Sequence, residues 1–107
     1  GDDESPWSGA TAADVGVDDV RGRVVDMFRD QAGCRLLQGK LDEGDGAMRD
    51  LVFAETLPHV RAMMMDAFGN YLFQKLVEHA TRQQRRELVL AATADAGSGG
   101  GADPADD

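Results

Sequence analysis

Asn70 and Gln74 stand one helical turn apart with Tyr71 between them, and Cys34 and Gln38 repeat the spacing with Arg35 in the place of the tyrosine. Residues at i and i+4 of a helix project side by side, so each pair can address one flat object together. An amide offers both a donor and an acceptor, the pattern that meets the edge of a nucleobase. The residue at i+1 lies ~100° further round the helix. From there a tyrosine ring or a planar guanidinium can lie flat between neighbouring bases. This is the chemistry of recognition. Nothing in the chain pairs a nucleophile with a base, sets two carboxylates together or cradles a phosphate, so an enzyme is not expected. Asp42, Glu43 and Asp45 resemble a cation loop only superficially, because the later ligands of a calcium hand are missing. His59 and His79 lack partners at ligand spacing, and Cys34 is the only cysteine. Neither a metal, a disulfide nor a cofactor is expected.

The elements that must hold these side chains follow from periodicity. Over Asp66–Leu76 and the residues just after, Phe68, Leu72, Phe73, Leu76 and Val77 share one side of a helical wheel. Asn70, Tyr71, Gln74, Lys75 and Glu78 share the other. The same design occurs upstream. Shifting Asp30–Leu41 by 36 residues superposes Asp30 on Asp66, Gly33 on Gly69, Leu36 on Leu72 and Gln38 on Gln74, and Val24 and Met27 fall on Val60 and Met63. Arg49–Ala54 then echoes Arg86–Ala91 at a shift of 37, a one-residue difference in the loop between. A helical unit recurring at this period predicts an all-α solenoid.

The windows Cys34–Gln38 and Asn70–Gln74, inside D-Q-A-G-C-R-L-L-Q and D-A-F-G-N-Y-L-F-Q-K-L, resemble Pumilio (PUF) repeats. The resemblance covers residues 20 to 93 and matches the first two units of a family that normally carries eight. It implies a short stack of three-helix repeats, each reading one base of single-stranded mRNA. It also implies that Cys34 with Gln38 takes adenine, the glutamine pairing while the thiol makes van der Waals contact, and that Asn70 with Gln74 takes uracil. Arg35 and Tyr71 would stack. Because the family binds RNA antiparallel to the protein, the two units would favour 5′-UA-3′, the end of a UGUA-type element in a 3′ untranslated region. Repression of translation or mRNA decay would follow, with translational-repression or deadenylation proteins as partners. The competing expectation is a truncated helical-repeat module that binds proteins and has little RNA affinity. Two repeats bury one seam where solenoids usually need three or more units, which favours a fragment of a longer protein or a weakly binding paralogue.

Charge bears on the same choice. The chain carries −9 overall, yet six of the acids precede residue 20 and four follow residue 93. All 11 basic residues lie between Arg21 and Arg86, and the other ten acids fall between residues 20 and 93. The middle is therefore close to neutral, and any RNA binding must lean on stacking and base edges more than on phosphates. Residues 1–19 read as a disordered acidic leader in which Trp7 is incidental, and 94–107 as a disordered Gly/Asp-rich tail. Between them, 20–57 is expected as the first repeat and 58–93 as the second. One helix is expected over Val20–Arg29, capped by Asp18 or Asp19, and a further one over Ala47–Leu57. Pro58 opens the helix that contains His59 to Met65, and Thr81 with Gln84 forms a capping box. Lys40 interrupts an apolar arc and is expected to snorkel; Met63, Met64 and Met65 are expected as core filler. With no apolar run long enough for a membrane and no signal-peptide core, the cytoplasm is the expected compartment.

Overall fold

A computed structural model of the chain describes residues 6–94, most of which are helical, with no strand among them. The helices are α1 (Val17–Val20), α2 (Val24–Phe28), α3 (Gln31–Asp42), α4 (Gly46–Thr56), α5 (Val60–Met65), α6 (Gly69–His79) and α7 (Arg82–Ala94), with short 3-10 turns at Ala12–Asp14 and Leu57–His59. α2, α3 and α4 form one unit, and α5, α6 and α7 form a second that stacks on it through α3 against α6. One core runs through both units. It draws Val24, Met27, Phe28, Leu37, Leu41, Met48 and Val52 from the first and Val60, Met63, Leu72, Leu76 and Leu88 from the second. Each large side chain so buried contributes ~1.5–3 kcal/mol relative to exposure, which is why the apolar positions of the wheel decide which way every helix faces.

Helix starts are set by side chains that take up the free amides of the first turn. The Asp30 carboxylate accepts from the Gly33 amide at 2.8 Å, and Asp66, one repeat later, accepts from Phe68 and Gly69 at 2.8 Å each. Asp45 does the same for α4 through the Ala47 amide at 2.9 Å. The capping box expected ahead of α7 is present: Thr81 and Gln84 exchange backbone-to-side-chain bonds of 3.1 Å in each direction.

Four sequence expectations are corrected. The single helix over Val20–Arg29 is broken at residues 21–23, because Gly22 adopts φ +81, which cannot continue a right-handed helix. The restart is capped from a distance by Glu55 of α4, whose carboxylate accepts from the Gly22 amide at 2.6 Å and the Val24 amide at 3.2 Å. Asp19 instead takes the Gly16 amide at 2.9 Å, within α1.

The part of the leader from residue 6 to 19 is packed: Trp7, Val15 and Val17 lie against the core. Lys40 does not snorkel to water. The leader covers it, and its Nζ donates to the Ala12 carbonyl at 3.0 Å and to Glu43 at 2.9 Å. Of the three methionines only Met63 is buried; Met65 is 81% exposed. Successive helical residues diverge by ~100°, so three in a row cannot all face one core. The expectations for residues 1–5 and 95–107 lie outside the described residues.

Candidate nucleic-acid interface

The two windows sit at equivalent places on α3 and α6, and a shared device sets their orientation. A Cβ added to Gly33 would stand 2.6 Å from the Met27 carbonyl oxygen, and one added to Gly69 would stand 2.7 Å from the Met63 carbonyl oxygen. Both contacts are closer than any side chain tolerates. Glycine at these two positions lets α3 cross tightly over α2 and α6 over α5, with an Asp cap three residues before each. Each window helix is thereby held by the same pair of contacts, an Asp cap and a close glycine crossing.

Arg35 and Tyr71, the two stacking candidates, are both exposed, Tyr71 at 58%. Gln74 is exposed and Gln38 half-buried. The partners one turn earlier differ from the simple outward fork. Cys34 is 2% exposed. Its thiol donates to the Phe68 carbonyl of the second unit at 3.1 Å and accepts from the Gln38 amide at 3.4 Å. Burial pushes this thiol up from its ordinary value, against the smaller opposing effects of the Gln38 and Leu72 hydrogen bonds. It is therefore a protonated seam residue at neutral pH, lying beneath Gln38 and presenting almost no surface to a base. The sequence alone missed this because the carbonyl that draws Cys34 inward belongs to the next repeat.

Asn70 is half-buried, and its amide nitrogen donates to the Asp66 carbonyl at 2.8 Å and the Ala67 carbonyl at 3.0 Å. Those two bonds hold the side chain against the start of α6 and leave its carbonyl oxygen as the group it can offer a base N–H. Lys75, on the same helix, is committed elsewhere: its Nζ meets Asp42 of α3 at 3.1 Å, where His79 Nε2 also approaches at 3.1 Å. These contacts, Lys75 first, hold the Asp42 carboxyl below the usual carboxylate range. The one sequence signal for this clip was the spacing of Asp42 and His79, 37 residues and so within one of the 36-residue shift, since neighbouring positions of successive repeats lie near one another.

No group of three potential ligands is arranged for a metal ion among the described residues, and no helix there is long and apolar enough to cross a membrane. Residues 23–57 and 59–91 each match the model of the Pumilio-family RNA binding repeat.

The chain belongs to the Pumilio family.

Curated relatives agree with that placement. The chain is 47% identical over 79 residues to "Putative pumilio homolog 7, chloroplastic" of Arabidopsis thaliana, covering 74% of this chain and 12% of that protein. It is 40% identical over 88 residues to a Pumilio domain-containing protein of Schizosaccharomyces pombe, covering 82% and 13%. It is 37% identical over 71 residues to "Pumilio homolog 1" of Xenopus laevis, covering 66% and 6%. The chain thus spans less than a fifth of each of these relatives. No solved structure matches it. The fold is a short all-α solenoid of Pumilio repeats, with α3 and α6 as the helices that carry the two windows.

Proposed function

We propose that the chain reads two successive bases of single-stranded RNA. Gln38 addresses adenine from α3 with Cys34 supporting it from below, and Asn70 and Gln74 address uracil from α6. Arg35 and Tyr71 stack against the bases, giving a preference for 5′-UA-3′. The observation that supports this most is the exposure of Arg35 and Tyr71 at equivalent positions of two helices whose caps and glycine contacts match. A UGUA-type element in an mRNA 3′ untranslated region is the target class, the outcome is repression of translation or mRNA decay in the cytoplasm, and deadenylation or repressor proteins are the partners. Each stack is worth ~1–3 kcal/mol, so two bases against the cost of association give a Kd of about millimolar to tens of micromolar. The near-neutral middle of the chain predicts a shallow salt dependence.

Replacing Asn70 by Ser together with Gln74 by Glu is expected to move the second position from uracil towards guanine, read by fluorescence anisotropy with a matched set of short RNAs at stated salt. An unchanged base preference in a variant that still binds RNA overturns the assignment. A second reading, a helical-repeat module for protein partners, draws on the exposed apolar residues Met65, Val89 and Leu90 of the second unit. Saturable binding of the UA-containing RNA in titrations carried to millimolar concentration decides for the first, and none over that range decides for the second.

A further inference from the structure

Arg35 has two sides. Around α3, Cys34 meets the second repeat through the Phe68 carbonyl, whereas Lys40 bonds the Ala12 carbonyl of the leader, and a Cβ at Gly39 would lie 3.1 Å from Ala12 Cβ. Arg35 lies between these faces, exposed. On its leader side it lines a cleft of about 330 Å³ shared with Trp7, Thr11, Ala12, Ala32 and Leu36. That volume falls at the lower end of the ~300–1,000 Å³ typical of small-molecule sites.

We propose that this cleft is a third nucleotide position, taking the base that follows the adenine on its 3′ side. The proposal rests on the two-base reading above, because it continues the same strand past the first repeat. The next base on that path meets the face of the Arg35 guanidinium turned away from Tyr71, and beyond it the Trp7 ring and the apolar side chains of α3. An indole and a guanidinium around an apolar floor are the chemistry that accepts a flat heterocycle. A bare anion is disfavoured, since Arg35 is the one cation among the described residues that line the cleft and Asp14 stands on the same leader. The wall is shaped in advance. The Ala10 amide donates to the Trp7 carbonyl at 3.1 Å, Thr11 Oγ1 donates to Asp14 at 2.9 Å, and Lys40 fixes Ala12. Little ordering is then left for the ligand to bring about.

Trp7 is the only tryptophan in the chain, so its emission reports the site directly. The full chain is titrated with RNAs of one length ending in UA plus either a normal nucleotide or an abasic one at the 3′ position, and with a third RNA extended on the 5′ side instead. The expected result is saturable quenching of Trp7 and at least about five-fold tighter binding for the 3′ base than for the abasic RNA. Trp7→Ala should collapse that difference, and Trp7→Phe, which keeps a ring, should retain most of it; circular dichroism checks that both variants remain helical. Equal affinity for the base and abasic RNAs, or a gain only from the 5′ extension, overturns the third position while leaving the two-base reading standing if UA is still preferred. Equal weakening of both RNAs by Trp7→Ala makes the tryptophan purely structural and also overturns it. Failure of every RNA to saturate up to millimolar concentration overturns both readings.

Discussion

The two repeats are built from matching residues, yet they are buried differently. Val52 of the first is fully buried while Val89, its counterpart 37 residues on, is 51% exposed. Phe28 is fully buried against Gly69 while Met64, 36 residues on, is 40% exposed. The first repeat is enclosed, with the leader on one side and the second repeat on the other; the second is covered on the first-repeat side. In a solenoid the environment of a residue comes from the neighbouring unit as much as from its own. Identical patterning therefore yields core in one place and surface in the other. The same logic reaches the reading windows: Cys34 is drawn under the second repeat, and Asn70, at the matching position, keeps partial exposure.

The sharpest way to break this comparison is to cut the paired positions alike. Phe28→Ala should cost about 3–5 kcal/mol, the range for removing a buried phenylalanine, whereas Met64→Ala should stay within about 0.5 kcal/mol, as surface changes do. Urea denaturation of the two variants checks it, and equal losses would mean the ends of the stack are equivalently covered. Next in size are the glycines. Gly33→Ala and Gly69→Ala each gain helix propensity but drive a methyl into a backbone carbonyl, with a net loss of about 1–3 kcal/mol expected for both. Similar losses support one device used twice; tolerance at either site denies it.

The smallest effect concerns pH. Asp42 bridges to Lys75 and His79, and Asp50 bonds Gln84 at 2.7 Å, so both carboxylates tie the first repeat to the second. Both are held below the ordinary carboxylate value near 3.8, Asp42 chiefly by Lys75 and Asp50 chiefly by Gln84 and then Arg49. A carboxylate depressed in the folded state lends stability above its unfolded value, and that contribution is lost as pH falls through the lower folded value. Thermal stability should therefore fall below about pH 4. Asp42→Asn should lower Tm slightly at neutral pH, and the gap from the parent should close on acidification. A gap that stays constant down to pH 3 removes the Asp42 clip from the seam.

Much of this architecture could be seen in the residues alone. That Asp30 and Asp66 cap the window helices came from the structure. The shift that superposes Asp30 on Asp66 and Gly33 on Gly69 located both of those helices and the glycine before each window, because helical patterning acts within a few residues. The capping box of Thr81 and Gln84 was legible for the same reason. Partners distant in sequence were not. Glu55 restarts α2 from 31 residues away, the Ala12 carbonyl holds Lys40 from 28 away, and the Phe68 carbonyl takes the Cys34 thiol from 34 away. No local pattern marks those bonds, so an acidic stretch read as loose, a lysine as solvated and a cysteine as outward.

By itself the order of residues determined that the chain forms helices, which side of each window helix is apolar and that one unit follows another with the same two windows. These are matters of turn-to-turn geometry and of water's aversion to apolar surface, and both operate over short spans of chain. Only the tertiary structure decided which window side chains stay at the surface, how the leader walls off a cleft beside Arg35, and which apolar positions are left open. Those outcomes depend on what lies across a packed boundary, and the chain meets that boundary only once it has folded.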